Sequence, residues 1–465
     1  MLTAIAGTSL DLSTPRRVHV VGVGGSGMSA IASVLLAMGH RVSGSDASAS
    51  PILDRLQAIG ADVHAGHDPG SVVGADVVVV STAIPAGDPE VVAARDAGIP
   101  VLRRADALAA IGRQRRTVAV SGTHGKTTTT AMLTVAMQGA GLAPSFIVGA
   151  DIAGLGRGAG WDTGEWFVVE ADESDGTFVE LDAQAVLVTN VEPDHLDHWG
   201  SFDALRDAFR VFLERASGPR VVCADDAAAA ALAASVGGCV TFGTSDTADV
   251  RITDMETGRE AVRFRFDGRA VELHVPGVHN ARNAAGALTM CRELGVDVDA
   301  AIAAIDGYTG VSRRYEHRGE AAGVSFIDSY DHLPTEVASA LATARAGGWR
   351  RIICVFQPHR FTRTASLWRD FADAFVDADL LAVTDIYAAG QEPIPGVRGK
   401  LIVDAVLDAH PRAGVAWLPD RESLRRWLLS ELRPGDLCLT LGAGDLTTLP
   451  SDLLVTLSSD RSTNP

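Results

Sequence analysis

The sequence lacks paired cysteines, long apolar runs and a targeting segment. Its 465 residues contain five cysteines, which are scattered without a CxxC pair and lie mostly in apolar surroundings. This predicts buried free thiols in a reducing, cytoplasmic compartment. No apolar run reaches the roughly 18 residues of a membrane span. The N-terminus has no basic segment followed by an apolar stretch, so no signal peptide is predicted. We expect the tail, residues 458–465, to be disordered.

Positive charge is also in deficit. Lys and Arg number 40 against 58 Asp and Glu, and the net charge is −18. This balance argues against nucleic-acid partners and against anionic membrane surfaces. An acidic protein can still bind nucleotides through local glycine-rich loops and a few well-placed basic groups. Oligomeric state is left open between a monomer and a homodimer.

The length and the apolar pattern predict three α/β domains. At about 150 residues per domain, 465 residues suggest three, and 47% apolar residues suffice for a core in each. Short apolar runs alternate with amphipathic stretches, as in parallel sheets wrapped by helices. Within the middle segment, VRFRF (262–266) and VELHV (271–275) alternate with period two, which predicts antiparallel strands and a mixed sheet. Linkers at 112–116 and 307–310 give predicted domains of 1–112, 113–310 and 311–465.

The most informative motif is a phosphate loop, VSGTHGKTTTT at 120–130. A strand runs into a glycine-containing turn that opens a helix. Gly122 and Gly125 let the backbone curl so that successive N–H groups point inward, while Lys126 can reach the β- and γ-phosphates. Thr127 offers a hydroxyl to Mg²⁺. Because Val120 stands where the strict pattern has its first glycine, the match is to the shorter G-T-x-G-K-T form. A helix start with tolerated glycines is the alternative.

A second glycine-rich turn follows the first predicted strand. The run GVGGSG (22–27) fits G-x-G-x-x-G, and Asp46 ends the next strand. This pattern indicates a diphosphate at a helix N-terminus without saying which nucleotide. A nicotinamide-dependent oxidoreductase and a tight structural turn are the alternatives. The ATP-type loop about a hundred residues later favours two different nucleotides.

Acidic and histidine side chains follow the next two predicted strands. EADESD (170–175) gathers four acids, whose repulsion a cation such as Mg²⁺ would offset. A solvated acidic loop is the alternative. TNVEPDHLDH (189–198) follows the neighbouring strand, and His195 is predicted to hold a second metal through a neutral ring nitrogen. A purely structural His195 remains open.

Further polar groups lie at 277–283 and in the third segment. Asn280 has the donor and acceptor needed to read an adenine edge, and helix N-capping is the equal alternative. The third segment has predicted strands at 324–328, 351–356, 380–384 and 436–441, and polar groups directly follow the first two, at 328–336 and 357–364. Arg360 and Arg363 are placed there to bind a carboxylate or phosphate in bidentate fashion.

Taken together, these motifs resemble the Mur ligase family. GTHGKTTTT, EADESDGTF, TNVEPDHLDHWGSF, GVHNARNAAGAL, SRRYE, DSYDHLPTE and FQPHRFTRT occur in the family's order, and the resemblance runs from Val18 to about Leu449. It implies an N-terminal Rossmann-like UDP-binding domain, a central ATPase domain and a C-terminal Rossmann-like domain. The implied reaction is ATP-dependent ligation of an amino acid to the lactyl carboxylate of UDP-N-acetylmuramate through an acyl phosphate, in peptidoglycan synthesis, with Mg²⁺ or Mn²⁺.

The resemblance also implies roles for individual residues. Catalysis falls to Lys126, Glu173 and His195, and metal binding to Thr127, Glu173 and His195. ATP binding involves Gly122, Thr123, His124, Gly125, Lys126, Thr127, Thr128, Asn280, Arg314 and Asp328. UDP-sugar binding involves Gly22, Gly24, Gly25, Ser26, Gly27 and Asp46. The amino acid and the product would contact Tyr330, His332, Arg360 and Arg363.

One motif departs from the family pattern. Residues 328–334 read DSYDHLP, where the family usually shows D-D-Y-A/G-H-H-P. This leaves the incoming amino acid open among L-alanine, glycine and L-serine. The alternatives are a ligase that recycles whole muropeptides onto the same UDP-sugar, the oxidoreductase already mentioned, and a nucleotide switch without enzymatic activity.

Overall fold

The computed structural model of the chain describes residues 10–459, without the side chain of Asp197. The predicted tail disorder is wrong for Ser458 and Ser459, which belong to the last helix, and the remainder of that tail lies outside the described residues. The chain packs into two compact units. Of the described residues, one unit comprises 10–253, 265–271 and 282–308, and the other 254–264, 272–281 and 309–459. Among the described helices, none has the length and apolar character needed to cross a bilayer.

The N-terminal segment is a doubly wound layer of strands and helices. Its elements are β1 (Arg17–Val21), α1 (Ser26–Ala37), β2 (Arg41–Asp46), α2 (Pro51–Ala58), β3 (Asp62–Ala65), a 3-10 turn (Pro69–Val72), β4 (Val77–Val80), α3 (Pro89–Asp96), β5 (Val101–Arg103) and α4 (Arg104–Gly112). The strands are parallel in the order β3-β2-β1-β4-β5. This order reverses at β1, and the loop after β1 therefore opens at the switch point where such sheets bind ligands.

A buried polar network joins this sheet to α3. Glu90 is fully buried and accepts hydrogen bonds from the Ser45 hydroxyl and, at 3.1 Å, from the N–H of Asp68. Its Oε2 also lies 3.3 Å from Nδ1 of His67 and 3.5 Å from Nε2 of His19. Burial alone would raise the pKa of Glu90, but these hydrogen bonds lower it to about 2.

We expect Glu90→Gln to lower the stability of the N-terminal sheet by about 2 kcal/mol at pH 7. The pKa of Glu90 lies below its ordinary value of 4.5. Its contribution is therefore fully present above that pH and is lost as the pH falls toward 2. Urea unfolding of the wild type and the variant should show a stability difference that shrinks over this window. The exposed Glu214→Gln serves as control, and a pH-independent difference would contradict the assignment.

The central segment forms a ten-stranded sheet. Its elements are β6 (Arg116–Ser121), α5 (Lys126–Gly139), β7 (Ser145–Ile152), β8 (Arg157–Gly160), β9 (Trp166–Glu170), a 3-10 turn (Thr177–Glu180), β10 (Ala185–Val188), α6 (Leu196–Trp199), α7 (Phe202–Arg215), β11 (Arg220–Cys223), α8 (Ala227–Val236), β12 (Val240–Gly243), β13 (Val250–Thr257), β14 (Val262–Phe266), β15 (Arg269–Leu273), α9 (Val278–Glu293) and α10 (Val298–Asp306). The strand order is β15-β14-β13-β12-β11-β10-β6-β9-β7-β8. Strand β6 pairs in parallel with both β9 and β10, which brings the loops after these three strands to one sheet edge.

The period-two pattern predicted strands β14 and β15 to within two residues. Strand β14 alternates buried and exposed residues as predicted, whereas β15 begins at Arg269, two residues before the predicted start. The charged linker is shorter than predicted, because Gly112 still belongs to α4 and Arg116 already belongs to β6. The five cysteines are free thiols, as predicted, and Cys239 alone is only half-buried.

The C-terminal segment contains a six-stranded sheet. Its elements are β16 (Glu316–Ala321), β17 (Val324–Ser329), α11 (Pro334–Ala346), β18 (Arg351–Phe356), α12 (Phe361–Leu367), β19 (Leu380–Val383), α13 (Lys400–Ala409), β20 (Val415–Trp417), α14 (Arg421–Glu431), β21 (Asp436–Leu441), a 3-10 turn (Asp445–Thr448) and α15 (Leu449–Ser459). The order is β16-β17-β21-β18-β19-β20, and the antiparallel pair is β16 with β17. The predictions missed the edge strands β16 and β20.

Candidate functional site

The phosphate loop between β6 and α5 requires glycine at two positions. Gly122 has φ +135°, and a Cβ there would lie 2.1 Å from Oγ1 of Thr189. Gly125, with φ +78°, would place a Cβ 2.6 Å from Oδ1 of Asn283. Left-handed backbone and close neighbours both favour glycine. The predicted curled loop is therefore present, and the alternative of tolerated glycines does not describe these two positions.

The loop after β10 fixes the backbone of the phosphate loop. Asn190 accepts a hydrogen bond from the N–H of His124 at 2.8 Å and donates one to its carbonyl at 2.9 Å. The Thr123 hydroxyl accepts the N–H of Glu192 at 2.8 Å. Sequence reasoning missed Asn190 and Asn283 as supports of the loop. The available signal for Asn190 was an amide side chain directly after a buried strand.

We expect Gly122→Ala to weaken binding of a nonhydrolysable ATP analogue at least about tenfold, because the new methyl displaces the loop from Thr189. Gly141→Ala is a matched control. Gly141 also has a positive φ, +79°, but has nothing within 4 Å of its Cβ position. Calorimetric titration should show near-native affinity for the control. Equal losses in the two variants would mean that backbone strain, and not the steric contact, sets the effect.

Lys126 is the buried cation of this loop. Its Nζ donates to the Gly122 carbonyl at 2.6 Å and lies 2.7 Å from Oε2 of Glu173. Burial alone would lower the pKa of Lys126, but the carboxylates of Glu173, Asp172 and Glu170 raise it. Burial raises the pKa of Glu173 to about 7, against the pull of Lys126. A fixed positive charge therefore lies at the N-terminus of α5.

The oxygen donors predicted to hold a divalent cation lie near this charge. The Thr127 hydroxyl donates to Oε1 of Glu170 at 3.0 Å, and Oε2 of Glu170 accepts the N–H of Gly149. Hydroxyl and carboxylate oxygens are the donors that Mg²⁺ prefers, so this donor set fits that ion. Sequence reasoning did not select Glu170, although it stands within the acidic run.

Among the described side chains, His195 does not belong to a group of three potential metal ligands. Its Nε2 is 3.2 Å from Oδ2 of Asp194, and its φ is +52°. Over residues 10–459, the group of three or more histidine, cysteine or acidic side chains whose ligand atoms all lie within 4.8 Å of one another is His67, Asp88 and Glu90. A second metal at His195 stays a prediction.

The N-terminal glycine-rich turn is likewise shaped by close contacts. Oδ2 of Asp46 accepts the N–H of Gly24 at 2.9 Å, and a Cβ on Gly24 would lie 2.8 Å from the same oxygen. Gly22 has φ +80°, and the helix α1 begins at Ser26, after Gly25. The six residues predicted for the UDP-sugar thus come together at the sheet's switch point. Sequence reasoning missed Arg104. Its Nη1 lies 2.9 Å from the position that a Cβ on Gly27 would occupy.

Asn280 and Thr128 are both buried. Asn280 lies inside α9, and its Nδ2 donates to the Pro276 carbonyl at 2.7 Å. Because α9 begins at Val278, Asn280 does not stand at the position directly before the helix that an N-capping residue occupies. An adenine-reading role stays a prediction.

In the C-terminal unit, Asp328 lies at one end of a cluster of cationic side chains that includes Arg313 and Arg314. It is buried and accepts hydrogen bonds from the hydroxyls of Thr440 at 2.7 Å and Thr447 at 2.6 Å. Nε of Arg313 lies 3.6 Å from it. The guanidinium groups of Arg313 and Arg314 lie 4.8 and 5.2 Å from the ring centre of Tyr330. Arg313 is a further residue that the site prediction left out.

The loops after β18 and β19 complete this cluster. Nη1 of Arg363 lies 3.0 Å from Nδ1 of His359, and the rings of His359 and Tyr387 stack at 5.9 Å. Burial lowers the pKa of His359 to about 3, and the charges of His332, Arg363, Arg360 and Arg313 add to the effect. Arg360 holds φ +67° and donates its N–H to the Tyr387 carbonyl. The structure gathers Tyr330, His332, Arg360 and Arg363 as predicted, in a field suited to an anion.

The unusual DSYDHLP segment is accommodated without a break in the fold. The Ser329 hydroxyl accepts the N–H of Tyr315 at 3.0 Å, and Asp331 lies 4.0 Å from Arg314. Leu333 is buried at the start of α11, where Glu336 accepts its N–H at 3.1 Å.

Three stretches of the chain match Mur ligase domains. Residues 17–116 match the Mur ligase family catalytic domain, 120–291 the Mur ligase middle domain, and 313–444 the Mur ligase glutamate ligase domain. A protein of Kineococcus radiotolerans, named UDP-N-acetylmuramate–L-alanine ligase, is 45% identical over 97% of this chain and 99% of its own length. One of the same name from Caulobacter vibrioides is 42% identical over 93% of this chain and 94% of its own length.

Solved structures of ligases have a similar fold. The UDP-N-acetylmuramate–alanine ligase of Thermotoga maritima aligns with TM-score 0.80 and 27% identity, covering 97% of this chain and 100% of that one. A murein peptide ligase of Psychrobacter arcticus aligns with TM-score 0.70 at 22% identity, over 95% of this chain and 99% of its own. The latter similarity concerns the fold alone.

Proposed function

Because this chain belongs to the Mur ligase family, we propose that it joins L-alanine to the lactyl carboxylate of UDP-N-acetylmuramate with conversion of ATP to ADP and phosphate. It is an ATP-dependent ligase of peptidoglycan synthesis. The observation that carries the proposal is that a UDP-type glycine turn and an ATP-type loop with a buried Lys126 lie in one compact unit. Muropeptide recycling and nicotinamide chemistry are not favoured, since full-length relatives carry the alanine ligase name. A cytoplasmic location remains a prediction.

The proposed mechanism assigns the chain's residues mainly to positioning. The lactyl carboxylate attacks the γ-phosphate, giving an acyl phosphate and ADP. The amine of L-alanine then attacks the acyl carbon, and phosphate leaves. Lys126 neutralises charge on the transferred phosphoryl group. Thr127 and Glu173 would hold Mg²⁺, which supplies further neutralisation of phosphate charge.

The C-terminal cluster is proposed to bind the amino acid. Arg360 and Arg363 would hold its carboxylate, because guanidinium groups match carboxylate geometry. Tyr330 and His332 would line the same pocket. Arg314 and Asp328 are assigned to ATP binding as part of the same proposal. Domain boundaries at 112/113 and 310/311 are part of the proposal.

One assay tests this function. Phosphate release should require UDP-N-acetylmuramate, ATP, Mg²⁺ and an amino acid together, and omission of any one should abolish it. We expect kcat/KM to be highest for L-alanine and lower for glycine and L-serine. Activity with a tripeptide but not with L-alanine would favour the recycling reaction. ATP binding without amide formation under any condition would refute the ligase proposal.

A further inference from the structure

Arg104 lies between the glycine-rich turn at 22–27 and the acidic run at 170–175 in the first unit. It opens α4 and is about one-fifth exposed, with its Nη1 facing the N-terminus of α1 at Gly27. Its Nη2 lies 3.4 Å from Oδ2 of Asp175 and 3.7 Å from Oδ2 of Asp172. The two ends of one guanidinium fork therefore face two different loops.

The acidic loop carries this contact on to the phosphate loop. Asp172, which Nη2 of Arg104 approaches to 3.7 Å, directly precedes Glu173 in the chain. The adjacent residue, Glu173, forms the buried ion pair with Lys126. Arg104 thus lies beside the first turn of α1 and forms ion pairs with the acidic loop, whose Glu173 in turn pairs with Lys126 of the ATP-type loop.

Resting on the proposed function, we propose that Arg104 couples the two nucleotide sites. Its Nη1 binds the diphosphate of the uridine substrate at the N-terminus of α1, where backbone N–H groups also favour an anion. Its Nη2 meanwhile holds Asp172 and Asp175 of the acidic loop, which also carries Glu173, the ion-pair partner of Lys126. A planar guanidinium can serve both sides at once, whereas an ammonium is a point charge. Ordering of Arg104 by one nucleotide lowers the cost of ordering the acidic loop for the other, so each strengthens binding of the other.

The neighbouring Arg103 provides a matched control. It also reaches from the end of β5 to the central segment, where its Nη2 lies 2.7 Å from Glu180, and the same Nη2 lies 2.9 Å from Asp106 of α4. This bridge ends at the 3-10 turn Thr177–Glu180 and not at the acidic residues 170–175. A merely structural tie between the N-terminal and central segments would be disturbed by either substitution.

The test is calorimetric titration with a nonhydrolysable ATP analogue and Mg²⁺, with and without saturating UDP-N-acetylmuramate. In the wild type we expect the UDP-sugar to tighten analogue binding about tenfold. In Arg104→Gln and Arg104→Lys this ratio should fall below about twofold. Analogue affinity measured alone, which reports an intact central segment, should change less than about threefold. Arg103→Gln should retain the wild-type ratio.

Each other outcome has a definite meaning. Full coupling in Arg104→Gln or Arg104→Lys, or loss of coupling in Arg103→Gln, would overturn the role of the bridging fork. A wild-type ratio near one, with both ligands bound, would overturn the coupling while leaving the ligase proposal intact. Failure of the wild type to bind UDP-N-acetylmuramate at all would instead overturn the proposed function.

Discussion

Lys126→Ala is expected to lower kcat at least about a thousandfold, because the phosphoryl group then transfers without its fixed cation. The affinity for UDP-N-acetylmuramate should stay within about threefold, since the glycine turn at 22–27 is formed by other elements. Coupled phosphate-release kinetics and calorimetry measure the two quantities. Equal loss of both would mean that the two nucleotide pockets are not separate.

The controls for this prediction follow from the chain itself. Lysine occurs at one other position, Lys400, which is exposed and pairs with Asp404 at 2.6 Å. Lys400→Ala should leave kcat unchanged. Since Lys126→Ala strands the buried carboxylate of Glu173, the double substitution Lys126→Ala/Glu173→Gln guards against a folding artefact. It should restore the melting temperature toward the wild-type value but should not restore turnover.

Arg363→Gln is expected to lower kcat/KM for L-alanine about a hundredfold, through loss of a charge-assisted bond to the substrate carboxylate. The KM for ATP should change little, because Arg363 is assigned to the amino-acid pocket. Initial-rate kinetics with each substrate varied in turn measure both effects. A uniform loss for every substrate would show that Arg363 supports folding and not amino-acid binding.

The same variant has a spectroscopic signature. Nη1 of Arg363 lies 3.0 Å from Nδ1 of His359, and its charge helps to lower the pKa of that histidine. The imidazole is therefore neutral throughout pH 5–8, and its pKa should rise when the charge is removed. NMR titration of His359 should show this shift in Arg363→Gln. Arg369 is exposed, and its guanidinium stacks on Trp368. As a control, Arg369→Gln should change neither the pKa of His359 nor kcat/KM for L-alanine.

Local sequence predicted much of the fold because buried parallel strands and glycine turns leave strong local signals. The runs at 351–356 and 436–441 were located with their observed bounds as β18 and β21. The edge strand β16, by contrast, reads EHRGEA, a polar run with no apolar alternation. Its strand conformation comes from pairing with β17, and pairing between segments is not written in a local pattern.

The same distinction holds for the sites. Gly122, Gly125 and Lys126 could be predicted from spacing alone, because a phosphate loop needs those residue types in that order. Glu170 and Asn283, in contrast, touch the loop only through the folded chain. His359 is kept neutral by burial and by surrounding arginines, and neither feature can be read from the local sequence.

By itself, the sequence determined the α/β class, the two glycine-rich turns and the residues that open α5, since these depend on short-range backbone geometry. The tertiary structure alone decided which strand ends are neighbours, and hence that the loops after β6, β9 and β10 meet. It also decided that one guanidinium, that of Arg104, faces both the glycine-rich turn at 22–27 and the acidic run at 170–175. Such contacts join residues far apart in the chain, and their positions follow from strand order and packing and not from any local pattern.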